Sequence, residues 1–358
     1  MDDVNEFIVN GTVSAELNVK GTIAILVTST ISNLTIFVMF WIIIRQNHSS
    51  RHTVVTRLVL NLFVSDFIQS IGFMFSYHWI KKGIIQQGIH CDIQGFLINL
   101  GDVASGFWAF VICVHTYMLV VHSYEYPHIV FLSMITIWPF NFLISTLGFA
   151  IQHASDSGKR FYGSAGGSWC WIDRDFQEYR IGFHYGIILF IAAAMIILYA
   201  IMFVILYRRQ RTMATRGSRR VLQSVNKKLV WYPAVYIVLI FPLALLRLTE
   251  RIAALAAQDT NIWGSSYLVI AGSIFTSAGL VNGMIYGITR NLVSVKPVMA
   301  MPMRISYMEH PTIYEFDDDS RYLSSSSAVT PPSPTHSTDP LNNHNRNYSN
   351  SSDTISPV

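Results

Sequence analysis

Asp66 is the residue whose chemistry most constrains this chain. It lies inside an apolar run, 58–80, long enough to cross a bilayer as a helix, and a carboxylate there is costly in hydrocarbon. Such a group faces the interior of a helix bundle and needs a partner. Asn33, in the apolar run 21–44, and Asn282, in the run 265–288, sit at comparable depth. The three can share hydrogen bonds, water or an ion. A structural hydrogen-bond knot and a site for shared water or an ion are both open readings, and one network can be both. A second set, Asn99, Asp102 and Ser105, is spaced by three and so shares one helix face. These are ligand-pocket candidates, with interhelical hydrogen bonding as the alternative. His184, between Phe183 and Tyr185, is another pocket candidate, as are Tyr77, His78 and Trp79. Each of these also suits an interfacial anchor.

The elements that must hold these residues are seven apolar runs, 21–44, 58–80, 93–121, 128–151, 182–207, 228–249 and 265–288, called spans one to seven below. A helix of ~20 residues crosses the hydrocarbon core, and a barrel would instead read as short alternating strands. The expected fold is therefore an all-α membrane protein, a seven-transmembrane helix bundle. Only 13% of residues are charged, against ~25% in soluble domains, and the mean hydropathy is +0.38. Pro139, Pro233 and Pro242 each remove a backbone donor within a span. The pair in span six, Pro233 and Pro242, marks a candidate hinge, with kinked packing without motion as the alternative.

Basic residues set the orientation. The segment between spans five and six holds Arg208, Arg209, Arg211, Arg216, Arg219, Arg220, Lys227 and Lys228 and no acidic residue. This places the N-terminus outside and the C-terminus inside, at the plasma membrane of a multi-pass protein. Residues 1–20 are acidic and carry no basic start or apolar core of a signal peptide, so span one acts as its own insertion signal. Trp41, Trp79, Trp231 and Trp263 suit interfacial belts. The expected layout is an extracellular segment 1–20, a seven-helix bundle 21–288, and a cytoplasmic tail 289–358 whose Ser, Thr, Pro and Asn content points to disorder.

With that orientation, Cys91 and Cys170 face an oxidising compartment, where a disulfide is allowed; the alternative is that all three cysteines are free, including Cys113 in mid-span. Asn10-Gly11-Thr12 is a glycosylation sequon on the outer side. Thr330-Pro331, Ser333-Pro334 and Ser356-Pro357, with Ser324 to Ser327, are candidate phosphorylation sites for a kinase acting on the tail.

Several motifs resemble those of G-protein-coupled receptors. Asn61-Leu-Phe-Val-Ser-Asp66 resembles the Asn-Leu-x-x-x-Asp of helix two in the rhodopsin-like class, and Asn282-Gly-Met-Ile-Tyr286 resembles Asn-Pro-x-x-Tyr of helix seven, with Gly for Pro. Asn33 looks like the helix-one asparagine and Trp138 like the helix-four tryptophan. Cys91 and Cys170 match the disulfide from helix three to the outer loop. His115-Thr116-Tyr117 stands where that class has Asp-Arg-Tyr, so its arginine-based lock is not carried over. Lys228-Leu-Val-Trp-Tyr-Pro233 and Val281-Asn-Gly-Met-Ile-Tyr-Gly287 are similar instead to the slime-mould cyclic-AMP-receptor-like group and its fungal relatives, near the fungal glucose-sensing receptors.

The resemblance implies a receptor that senses an extracellular ligand and activates a heterotrimeric G protein, plausibly in nutrient or cyclic-AMP-type signalling. It implies an activation network of Asn33, Asp66, Asn282 and Tyr286. It also implies Gα coupling through Arg208, Arg209, Arg211, Arg219, Arg220, Lys227 and Lys228; topology and anionic lipid contact are the plainer reading of that basic run. No cofactor and no nucleic acid are expected. Span seven has no lysine for a retinal Schiff base, and His78, His115 and His184 lack the spacing of a metal hydrolase, so no enzyme is expected. A multi-pass transporter or channel is the alternative, although the chain lacks internal repeats.

Overall fold

The computed structural model describes residues 6–9, 12–45, 53–122, 124–155, 159–164, 167–212, 235, 238–239, 249 and 265–293. Outside them lie Asn10, Arg219, Arg220, Lys227, Lys228, Pro233, Pro242, Trp231, Trp263, the tail phosphorylation candidates and most of span six.

Span one is the helix Val19–Ile44, opened by Asn18, whose side chain accepts from the Gly21 N–H at 3.1 Å. Span two is Val54–Met74, continued past Phe75 by a short helix, Ser76–Lys82, that stops at Gly83. Gly83 has φ 75°, a left-handed cap that glycine adopts without strain. Spans three and four are Ile89–His122 and Ile129–Ala154. Span five runs from a π turn, Ile181–Tyr185, into Gly186–Thr212. Span seven is two helices, Ser265–Thr276 and Ala278–Val293, bent by 43° between Tyr267–Thr276 and Ala278–Ile288. Spans one to five are each long and apolar enough to cross a membrane, and the bent pair makes one more crossing.

Hydrocarbon offers backbone and hydroxyl groups no partner, and the hydroxyls on these helices turn inward accordingly. Thr30 donates to the Leu26 carbonyl at 2.7 Å, Thr116 to Ile112 at 2.7 Å and Thr146 to Phe142 at 2.8 Å. Large apolar side chains face outward where lipid would lie: Leu34, Phe37, Phe131, Phe190 and Ile197 are all more than half exposed. The bend in span seven has a polar cause. Ser277 donates to the Ile274 carbonyl at 2.6 Å and Thr276 to the Ser273 carbonyl at 3.2 Å, competing with the helix ladder at the break. Pro139, by contrast, is absorbed within the single helix of span four.

Spans two and three approach each other backbone to backbone. At Gly101 a Cβ would stand 2.4 Å from the backbone nitrogen of Gln69 and 2.7 Å from the Ser65 carbonyl oxygen. Only a glycine permits that approach, which is how small residues pack helices in membranes.

At the end of the bundle that carries Cys91, the chain switches to strands. β1 (Glu6–Val9), β2 (Thr12–Glu16) and β3 (Ile84–Gln86) form an antiparallel sheet in that order, with Val9 opposite Thr12 and Ser14 opposite Gln86. β4 (Tyr162–Ser164) pairs with β5 (Cys170–Ile172). Cys91 and Cys170 form a disulfide with a Cα separation of 5.2 Å. Phe161, Tyr162, Trp169, Trp171 and Ile172 are buried against Phe73 of span two and Phe275 of span seven. The second loop thus packs down into the bundle as a roof. Trp79, expected in an interfacial belt, is buried there instead: its Nε1 donates to Gln94 Oε1 at 2.6 Å, because the short helix after span two tucks under β3.

Candidate functional site

Beneath the roof, His184 is brought inward by the π turn that opens span five. The Gly186 N–H reaches back to the Ile181 carbonyl, and a Cβ at Gly186 would stand 2.7 Å from that oxygen. Such one-turn widenings occur mostly at functional positions. The buried His184 ring presents Nε2 to Asp102 Oδ2 at 2.8 Å and Nδ1 to Asn99 Oδ1 at 3.1 Å. Asn99 donates to Ser145 Oγ at 3.2 Å, and Gln69 donates to Asp102 Oδ1 at 3.4 Å. Trp171 of β5 meets the imidazole edge-on at 4.8 Å. Four spans and the roof therefore converge on one polar cluster, in which Asn99 and Asp102 present one face of span three.

One turn deeper on that face, Ser105 donates to Asp66 Oδ1 at 2.6 Å, and Asn282 of span seven donates to Asp66 Oδ2 at 2.7 Å. Both carboxylate oxygens are thereby satisfied, which a fully buried carboxylate requires. Ser105, grouped with the pocket candidates in the sequence, belongs to this lower layer. A cavity joins the layers: Gln69, Asp102, Ser105 and Asn282 line one side, while Met195, Leu239, Phe275 and Ala278 are among the apolar residues of the other. Its volume is ≈ 40 Å³, room for about three waters at about 10–15 Å³ each. Asn33 is not joined to Asp66. Its amide donates to Met74 Sδ at 2.9 Å, and the aromatic pair Phe37–Phe67, 5.3 Å apart, packs spans one and two together nearby. Tyr286 lies on the other side of Phe63, ring to ring at 5.9 Å, within the apolar core rather than at the carboxylate.

The roof is fastened from several sides. Gln94, one turn after Cys91, accepts from Trp79 and from the Cys170 N–H at 2.9 Å, and donates to Ser76 Oγ at 3.0 Å. Tyr162 donates to the Ser145 carbonyl at 2.9 Å, and burial pushes that hydroxyl up from its ordinary range. Arg180 donates through Nε to the Ile172 carbonyl at 2.8 Å and stands 5.3 Å from the Trp171 ring. Burial also pushes the Asp173 carboxyl up, opposed by the Asp175 N–H it accepts at 3.0 Å and by Arg180. Of the aromatic candidates, Tyr185 packs on Trp171 and His184, His78 stacks on His90, and Tyr77 is exposed.

At the far end of the bundle, His115 is buried, Tyr117 packs against His122, and span three terminates at His122. Arg209 of span five donates to the Val120 and Val121 carbonyls at 3.3 and 2.8 Å. Those are among the last four carbonyls of span three, which a helix leaves unpaired. Arg211 lies on Tyr207, and Arg208 is exposed.

Residues 34–286 match the model of the 7 transmembrane receptor (rhodopsin family). The chain belongs to the rhodopsin family of seven-transmembrane receptors. The match runs across His115-Thr116-Tyr117, which stands where the class has Asp-Arg-Tyr. Receptors of this family are not ordinarily enzymes. Over 163 residues the chain is also 29% identical to the ascaroside receptor GPR2 of Arthrobotrys oligospora, an alignment covering 44% of this chain and 38% of that protein. The chain thus matches well under half the length of that curated relative.

Sequence reading missed Gln69, Gln94, Ser145 and Trp171. Two had a usable signal. Gln69 lies three residues after Asp66, and Gln94 three after Cys91, so each shares a helix face with a residue already singled out.

Proposed function

We propose that this receptor binds an extracellular ligand at the His184–Asp102–Asn99–Gln69 cluster and passes the signal to a heterotrimeric G protein at the far end of the bundle. The observation that carries the reading is the two-layer arrangement on span three. The cluster and the Asp66–Ser105–Asn282 triad adjoin one cavity, so a change in either layer alters what the other can hydrogen-bond. A ligand shifts such a bundle only by its differential affinity for two arrangements.

In this reading the disulfide end faces outside, the basic segment 208–228 faces the cytoplasm, and the protein resides in the plasma membrane. The acidic N-terminus and the clustered arginines support that orientation. Helix six pivots near Pro233 or Pro242, Asn10 carries a glycan, and a kinase acts on the tail. The motifs at Lys228–Pro233 and Val281–Gly287 favour a place near the cyclic-AMP-receptor-like group and a role in nutrient or cyclic-AMP-type signalling. The partial match to a fungal receptor named for ascarosides makes an ascaroside the first ligand to try.

The test is nucleotide exchange on co-reconstituted Gα subunits. Wild-type receptor with ligand accelerates exchange, and Asp66→Ala and the double charge reversal of Arg219 and Arg220 each abolish the acceleration. Exchange that stays at the receptor-free rate across Gα classes and ligands sinks the proposal in favour of transport.

A further inference from the structure

A second pair of imidazoles lies at the disulfide end, apart from the polar cluster and from the Asp66 layer. We infer that His78 and His90 form a proton-binding pair that loosens the roof when it becomes charged. The pair sits at the joint between spans two and three, whichever side of the membrane that end faces.

His78 is on the short helix Ser76–Lys82, and His90 is in the first turn of span three. Their rings lie face to face, 4.2 Å between centroids and 5° from parallel, and Trp79 stands edge-on to His78 at 5.0 Å. Neutral imidazoles stack this way without penalty, whereas two imidazolium rings at that spacing repel. His78 meets a further obstacle. Its Nε2 is enclosed and has no hydrogen-bond partner. Protonation makes both ring nitrogens donors, and a charged donor enclosed without an acceptor costs more than a neutral one. The surrounding charges act in the same sense. Burial lowers the His78 ring from its ordinary range, and His90, Lys82 and Lys81 lower it further. The neighbouring elements also carry Lys20, in the first turn of span one, and Glu16, at the end of β2 opposite Ile84. Asp92, two residues after His90, is committed to Arg160.

The residues beside the pair fasten the roof. Trp79 follows His78, and Gln94 lies four residues after His90, on the same face of span three. Trp79 Nε1 donates to Gln94 Oε1 at 2.6 Å, the same oxygen accepts the Cys170 N–H at 2.9 Å, and Gln94 Nε2 donates to Ser76 Oγ at 3.0 Å. Cys91, next to His90, is bridged to Cys170. The short helix thus meets span three through two adjacent rungs, the imidazole stack and the Gln94 bonds. Repulsion in the first strains the second, and with it the hold on β5.

The sign of the pH effect follows. The lowered ring of His78 means that folding favours its neutral form. Its contribution to stability is whole above about pH 6.5, the value of a free imidazole, and is lost as the pH falls below that. Burial raises the Asp92 and Asp173 carboxyls, whose contribution runs the opposite way. The pair is therefore read by difference from variants.

The experiment uses the full-length receptor in neutral phosphatidylcholine nanodiscs, without G protein. Thermal unfolding midpoints between pH 7.5 and 5.5 are compared with those of His78→Phe, which keeps a flat ring and removes both nitrogens, and of His90→Gln. Over that range the wild-type midpoint should fall by about 2–4 °C relative to either variant. At pH 5.5 a phosphine should reduce the Cys91–Cys170 bridge about threefold faster in the wild type than in the variants, because the roof opens more often. If His78→Phe does not fold, His90→Gln, at an exposed side chain, decides. Parallel profiles in wild type and variants overturn the inference. A profile flattened by His78→Phe but kept by His90→Gln also overturns it, since burial of one histidine then accounts for the effect. A midpoint that falls while the bridge is reduced at the variants' rate overturns the link to the roof.

Discussion

The two ends of the bundle are held in different ways. At the disulfide end, a covalent bridge, two small sheets, the Gln94 hub and an aromatic core lock spans one to five and seven around the roof. At the far end, the polar tie between spans three and five among the described residues is Arg209, bonded to two backbone carbonyls. Among the described residues, then, one end is held by a covalent bridge and packed side chains, and the other by a charged side chain on backbone carbonyls. The difference can be broken from either side.

The largest effect is expected between the ends, where spans two and three touch. Gly101→Val places carbon atoms against the Gln69 and Ser65 backbone, which cannot swing aside as a side chain can. The spans must separate, and both polar layers on span three are lost with them. Overpacking of this kind exceeds the usual ~1–3 kcal/mol. The expected outcome is no monodisperse receptor in detergent, whereas Gly182→Ala, which faces open space, purifies as wild type. Next comes the roof. Cys170→Ser opens a bridge spanning 79 residues of sequence and should cost about 2–5 kcal/mol, read as a fall in unfolding midpoint. If the midpoint is unchanged, the roof is held by its aromatic core and not by the disulfide. A smaller effect falls on the π turn. Gly186→Ala crowds the Ile181 carbonyl, shifts His184 relative to Asp102 and costs about 1–2 kcal/mol. Ligand-driven exchange should fall more than stability does; an equal fall in both means that the turn only packs.

How much of this was legible beforehand follows the same division. The spans were readable because hydrocarbon demands long apolar helices whatever the packing. Asp66, Asn282 and the two outer cysteines stood out because each is expensive or reactive where it lies. The strands of the roof were not read. Phe7-Ile-Val-Asn-Gly-Thr-Val carries the Asn-Gly of a two-residue hairpin, yet the same letters spell a glycosylation sequon, and that reading took precedence. Asn33 and Tyr286 show a different limit. Equal sequence depth places residues in one layer of the membrane, but which side of a helix faces which neighbour is decided by packing, here by Phe37, Phe63 and Phe67. The π turn was also illegible, since one extra residue in a helical turn rotates every later side chain without changing composition.

Arg209 gives the smallest effect and the sharpest test of the far end. It was expected, with its neighbours, to serve the G protein. In the structure its guanidinium meets the carbonyls at the end of span three, where a cation also favours the negative helix terminus. In a family whose usual span-three arginine is replaced here by Thr116, this contact holds spans three and five together from the span-five side. If it restrains the resting arrangement, Arg209→Gln releases about 1 kcal/mol of it, and basal exchange on Gα rises about fivefold. Arg209→Lys, which retains the charge but not the fork, should fall between. A drop in exchange for Arg209→Gln would instead make Arg209 a contact for the G protein.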